Sequence, residues 1–249
     1  MSVVAYTPLT PLAFLRRSAE VYPDKDAVVY AERRVSYVDF AAQTTRVARA
    51  LRASGVQPGD RVAYLLPNLP EMLVAHFAVP LAGAVLVAIN TRLSSEEVRY
   101  ICDHSGSKLL VVDAALYPTV APLVGELKTV AEIVTVSDPA GPETTESSGL
   151  SYADFLDRGS DEPLPWAVED ENSTISINYT SGTTGRPQGR DVHPPGRLPQ
   201  RPRRDHPFGA HPGKRLPVDA ADVSLQRMVH PVGGDRDRRH PCVPAGGPR

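Results

Sequence analysis

Tyr179-Thr180-Ser181-Gly182-Thr183-Thr184-Gly185-Arg186-Pro187-Gln188-Gly189 gathers three glycines, five hydroxyl side chains and one arginine into eleven residues. The alternating run Thr174-Ile175-Ser176-Ile177-Asn178 leads straight into it. Alternation of that kind reads as a half-buried strand. A strand that runs into Gly/Ser/Thr-rich backbone can form an anion cradle. Glycines let successive N–H groups converge on one point, and hydroxyls add donors that phosphate oxygens accept. Gly-Thr-Thr-Gly by itself reads as an ordinary polar turn. The G-x-x-x-x-G-K-[ST] spacing is absent, so this is not a Walker loop.

Strands and helices alternate ahead of it. Residues 10–21 carry Leu12, Leu15 and Ala19 between charges, a first helix stopped by Pro23. Ala27-Val28-Val29-Tyr30 and Arg34-Val35-Ser36-Tyr37 read as two short strands. Ser36, with Asp39 three residues on, opens a helix through Phe40, Thr44, Val47, Ala48 and Leu51, with Gly55 as its left-handed stop. Arg61-Val62-Ala63-Tyr64-Leu65-Leu66 is a strand; Pro70 then opens a helix that ends at Gly83, before a strand over residues 85–88. Ser94 with Glu97 is a capping box for a helix running to Gly106. Strands at 108–112 and 133–136, a polar loop at 137–148 and a short helix at 152–156 complete the run. The pattern predicts an α/β fold with a largely parallel sheet and flanking helices.

Residues 72–89 lack formal charge, but His76, Pro80 and Gly83 interrupt them. A spanning helix needs about 20 predominantly apolar residues, so a buried helix followed by a buried strand is the better reading. Cys102 and Cys242 make no disulfide framework and fit a reducing cytosol. Residues 1–8 lack the basic and apolar regions of a secretory signal. A cytoplasmic location is therefore expected. His76 and His104 read as structural histidines, Cys102 as a small buried hydrophobe, and the His104/Ser105 pair has no acid to complete a hydrolase triad.

The eleven-residue string resembles the phosphate-binding signature Y-T-S-G-[ST]-T-G-x-P-K-G of the adenylate-forming enzymes, which include the acyl-CoA synthetases. Ten positions fit; Gln188 stands where that family carries lysine. Gly59-Asp60-Arg61-Val62-Ala63 with Leu66-Pro67-Asn68 resembles the family's G-D-R-V-A…L-x-N element. Ala82-Gly83-Ala84-Val85…Asn90-Thr91-Arg92-Leu93 resembles A-G-A-V-x-x-P-x-N-x-R-L, with Ala88 in place of the proline. The resemblance covers residues 8–187 and implies the partial N-terminal AMP-binding domain of the acyl-CoA synthetase fold. It implies that a fatty acid and ATP give acyl-AMP and pyrophosphate, after which coenzyme A thiolate displaces AMP. On the same basis Thr180, Ser181, Gly182, Thr183, Thr184, Gly185 and Gln188 would bind the ATP phosphates, with Thr184 at Mg²⁺.

Residues 188–249 read differently. Charge changes sign at the boundary: residues 1–187 carry 15 Lys+Arg against 23 Asp+Glu, and residues 188–249 carry 12 against 6. Of the 25 prolines, 12 fall in residues 187–249, and periodicity is lost there. A disordered linker or a basic nucleic-acid-binding arm are the ordinary readings. His206, His211, His230, His240 and Cys242 show no zinc-finger spacing.

A third reading accounts for more. Ala221-Asp222-Val223-Ser224-Leu225-Gln226-Arg227-Met228, back-translated as GCC GAT GTT TCA CTG CAA CGG ATG with the G that opens the Val229 codon, and read one base later, gives P-M-F-H-C-N-G-W. That string is familiar in acyl-CoA synthetases. One extra C in the Pro187 codon turns CCC AAG GGC into CCC CAA GGG, which makes Gln188 from lysine and shifts everything after it. Residues 188–249 are thus expected to be an out-of-frame, disordered tail. They supply none of the family's downstream parts: the acidic Mg²⁺ ligand, the ribose-binding aspartate, the hinge and the C-terminal lysine. The expected product is a truncated, pseudogene-like fatty-acid–CoA ligase with little or no ligase activity, prone to chaperone association, with no nucleic-acid partner and no membrane span. The alternatives are a nucleotide-binding or regulatory module and a basic-tailed nucleic-acid binder.

Overall fold

Local signals set the helix ends in a computed structural model that describes residues 10–142, 149–160, 164–166, 170, 172–180 and 188–193. Helix α1 (Pro11–Val21) begins where the Thr10 hydroxyl accepts the Ala13 N–H at 3.2 Å. Helix α2 (Tyr37–Ala53) is capped in the same way by Ser36. Pro70 occupies the first turn of α3 (Pro70–Leu81), where its missing N–H costs nothing. At α4 (Ser95–Ser105) the capping box is closed in both directions, Ser94 Oγ accepting from Glu97 N and Glu97 Oε2 accepting from Ser94 N. Gly106, at φ 65°, ends α4 in the left-handed region that suits glycine.

Strands β1 (Asp26–Tyr30) and β2 (Arg33–Ser36) form a separate hairpin. The main sheet has seven strands: β3 (Arg61–Leu65), β4 (Val85–Ala88), β5 (Ser107–Asp113), β6 (Glu132–Val136), β7 (Leu150–Ser151), β8 (Ser176–Thr180) and β9 (Gln188–Val192). Their order is β7-β6-β5-β3-β4-β8-β9, parallel throughout except for the β8–β9 pair. The crossover from β3 through α3 goes one way, and the crossover from β4 through α4 returns past β3 to β5. Right-handed crossovers in opposite directions place α3 and α4 on opposite faces. On the α4 face Val98, Ile101 and Cys102 pack with Ala63, Leu65, Val87, Leu110 and Val112. The alternate residues Val62, Tyr64, Leu86, Leu109 and Val111 are equally buried on the other face. Burial of both faces explains why these strands read as continuous apolar runs.

Residues 72–89 divide into α3, a turn at Gly83 and β4, as the pattern implies. Among the described residues no helix is long and apolar enough to cross a membrane. Three differences stand out. The alternating run read at 174–178 pairs as Ser176–Thr180, so the first two residues of the Gly/Thr-rich string belong to the strand. Sequence reading missed β7, the short helix α5 (Tyr117–Val120) and the single 3-10 turns at either end of it. Five residues assigned to the tail, Gln188–Val192, form β9 on β8. Ladder hydrogen bonds are made by the main chain, so a strand can form there with side chains of little periodicity. The expected disorder of residues 194–249 lies outside the described residues.

His76 sits half-buried on α3, and burial lowers its imidazole pKa. Its folded pKa therefore lies below the unfolded value of roughly 6.5. The unfolded chain takes up the proton first as pH falls, so stability contributed above pH ~6.5 is lost progressively below it. Melting temperatures measured between pH ~7.5 and ~5 should fall for the natural chain and fall less for His76→Leu. Parallel pH profiles in the two proteins would show that His76 is not the group responsible.

Candidate functional site

Strands β3, β4 and β8 are parallel, so the segments that follow them leave the sheet at one edge. After β3 come Leu66-Pro67-Asn68, and after β4 come Ile89-Asn90-Thr91-Arg92. Strands β3 and β4 are neighbours, and the helices that follow them lie on opposite faces of the sheet. Asn90 Oδ1 accepts the Arg92 N–H at 3.0 Å and fixes the bend there. Strand β8, beside β4, brings the Gly/Thr-rich string to the same edge. Three stretches singled out in the sequence for one resemblance thus converge in space.

Thr180 is the last residue of β8 and Gln188 the first of β9, and they are cross-strand partners. Ser181, Gly182, Thr183, Thr184 and Gly185 lie outside the described residues, as does the reading of Thr184 as a Mg²⁺ contact. The paired ends bring the seven-residue connection out of and back into the sheet at its carboxyl edge. Its donors are hydroxyls, main-chain amides and the Arg186 guanidinium, with no carboxylate among residues 179–189. Such a set suits phosphate oxygens rather than a bare cation. Among the described residues no group of three or more His, Cys, Asp or Glu side chains is placed to hold a metal ion.

The neighbourhood of Tyr179 is well defined. His104 Nδ1, from the last turn of α4, lies 2.8 Å from the Tyr179 hydroxyl. Burial, reinforced by nearby Tyr100 and Cys102, pushes the Tyr179 phenol up to about 12, so the pair forms with the hydroxyl protonated. The end of α4 is in turn held by Arg61, whose guanidinium donates to the carbonyls of Ser105 at 2.6 Å, Gly106 at 3.1 Å and Gly59 at 3.0 Å. Sequence reading missed the role of His104; the available signal was its spacing of four from Tyr100, which puts the two rings on one helix face.

The other candidates resolve as structural. The Ser105 hydroxyl is buried against the Ser107 hydroxyl at 2.7 Å and the Cys102 carbonyl at 3.1 Å, which leaves no triad geometry. Cys102 is fully buried, and burial pushes its thiol up to about 12, so it is an inert core residue. The β1–β2 hairpin is tied to the same sheet edge by Tyr30 donating to Asp138 at 2.6 Å, just after β6, and by Arg33 on Glu71 at 2.9 Å, in the first turn of α3.

Comparison with known proteins agrees with this layout. The profile of the AMP-binding enzyme family matches residues 15–190. The 4-hydroxybutyrate–CoA ligase 2 of Metallosphaera sedula is 40% identical over 188 residues, which are 74% of this chain and 34% of that protein. Among solved structures, a fatty acyl CoA synthetase of Mycobacterium tuberculosis matches 74% of this chain and 34% of its own at TM-score 0.61 and 30% identity. A long-chain-fatty-acid–CoA ligase of Archaeoglobus fulgidus matches 76% and 38% at TM-score 0.63 and 26% identity. The chain spans about a third of the length of the curated relatives it matches.

Proposed function

We propose an activity for a chain that belongs to the AMP-binding enzyme family: residues 180–188 hold the phosphates of ATP for activation of a carboxylate toward coenzyme A. The observation that carries this is the Thr180–Gln188 pairing, which sets both ends of the Gly/Thr-rich connection at the carboxyl edge of a parallel sheet, next to β4. Magnesium, when bound with ATP, would neutralise the triphosphate as pyrophosphate leaves. Ser181, Thr183, Thr184 and the main-chain amides would orient the β- and γ-phosphates, and the Thr184 hydroxyl would meet the ion. Gln188 offers an amide where lysine would offer a positive charge, so the cradle is weaker in charge than the family pattern. A fatty acid is the carboxylate that the resemblance favours, and the cytoplasm is the expected compartment.

The family profile ends at residue 190, two residues after Gln188, and residues 188–249 have the composition of an out-of-frame reading. They do not resemble the remaining parts of the family, and we infer that the polypeptide of residues 1–249, made by itself, has little or no ligase activity. With Val124, Val29, Phe14 and Tyr22 about half exposed, association with chaperones is the expected fate when it is made alone.

Pyrophosphate release with ATP, Mg²⁺ and a panel of carboxylates, including fatty acids of several lengths and 4-hydroxybutyrate, tests this. The 249-residue chain should release none above background. Release would overturn the inactive reading. Measurable ATP affinity without release would favour a nucleotide-binding module. Steeply salt-dependent DNA binding, lost on removing residues 188–249, would favour a nucleic-acid binder.

A further inference from the structure

We propose that His104 is the positioning residue of the paired strands β8 and β9, acting through Tyr179; its relevance to ATP rests on the assignment of residues 180–188 to the phosphates. Tyr179 is one residue from the point where the chain leaves the sheet. Its hydroxyl meets His104 Nδ1 at 2.8 Å, and its ring stands edge-on to the imidazole, centroids 5.8 Å apart at 84°. Tyr100, one turn earlier on α4, stacks on the same imidazole at 5.3 Å and 28°. The imidazole is therefore held by ring contacts with two tyrosines although it is exposed.

Tyr179 is braced from β9 as well. Gly189 is its cross-strand partner, and a Cβ there would lie 3.2 Å from Tyr179 Cζ and 3.1 Å from Ile177 Cγ2. The phenol ring lies across the glycine, which gives the last residue of the eleven-residue string a packing reason to be glycine. One side chain thus links α4, β8 and β9 across 75 residues of sequence separation. Fixing backbone is the main cost of ordering a chain, so a brace on Tyr179 helps hold the paired ends Thr180 and Gln188 in register. Arg61 holds the adjoining carbonyls of Ser105 and Gly106, so the imidazole is mounted on a helix end that is anchored to β3.

Amide hydrogen exchange on the full 249-residue chain, resolved by peptide, tests this. His104→Ala should speed exchange across residues 174–192 by about five-fold, the scale of one hydrogen bond, and leave residues 61–66 and 107–113 unchanged. Tyr179→Phe, which keeps the ring and removes only the hydroxyl, should do the same, and the double variant should add little. His104→Asn places an amide oxygen near the position of Nδ1 and should restore slow exchange to within about two-fold. The proposal is overturned if His104→Ala leaves 174–192 unchanged, if it speeds all peptides alike, or if Asn rescues no better than Ala. Adding ATP with Mg²⁺ separates the two readings. Slowing across 174–192 in the natural chain that shrinks in His104→Ala supports both; no slowing, with the variants behaving as stated, leaves the positioning role standing and removes the phosphate assignment.

Discussion

Gln188→Lys in the 249-residue chain should restore no pyrophosphate release, whereas removing one C from the Pro187 codon should yield a product that releases it with ATP and a carboxylate. The lysine adds one charged contact to a phosphate that the hydroxyls and amides of residues 180–185 would already meet. Holding ATP and carboxylate together in reactive geometry contributes far more, on the order of 7–11 kcal/mol, and needs residues from both sides of the phosphate site. The frame change would alter Gln188 and all that follows, so on the out-of-frame reading it would bring back the charge and the family's continuation together. In that product Ser181→Ala should then lower release by about 10²-fold, the usual cost of losing one oriented donor to transferring charge. Equal activity from the Gln188→Lys chain and the frame-restored product would show that residues 188–249 are no obstacle and that the two events are unrelated.

Arg61→Ala should destabilise the folded unit by about 2–4 kcal/mol, because one guanidinium serves three carbonyls at the junction of β3 and α4. The figure is below the sum for three charge-assisted bonds because Arg61 is only partly buried. Gly106→Ala should fail at the same place. Its backbone is left-handed at φ 65°, and an added Cβ would fall 2.5 Å from Arg61 Nη2. Urea unfolding should show a lower midpoint with an unchanged slope for each substitution. In combination they should cost clearly less than their sum, since the second no longer disturbs a bond that the first has removed. Additive losses would mean that Arg61 and Gly106 act separately. The G-D-R-V-A string, met in the sequence only as a resemblance, thereby acquires a mechanical reason for its arginine.

The central elements were legible because their signals are local. Thr10, Ser36 and Ser94 announce helix starts by capping, Gly106 announces a stop, and residues 62–66, 85–87 and 109–112 are apolar because the sheet is covered on both faces. What was missed depends on tertiary partners. Strand β7 has two residues and exists only by pairing with β6. Strand β9 is specified by main-chain bonds to β8 and carries no apolar alternation that could have marked it. His104 looked like a structural histidine because its partner, Tyr179, lies 75 residues away. The Gly/Thr-rich string was read for its composition, and the pairing of its ends gives that composition a position at the sheet's carboxyl edge.

The nucleotide sequence of codons 187–249 tests the account most directly. It should read CCC CAA GGG, or the same with a run of C at Pro187, followed by a frame one base later that stays open throughout. That frame should give lysine at codon 188 after removal of the extra C, and P-M-F-H-C-N-G-W across codons 221–228. A stop codon in that frame within codons 187–249, or codon choices that spell a different peptide there, would contradict it. Residues 188–249 would then have to be explained as a sequence in its own right.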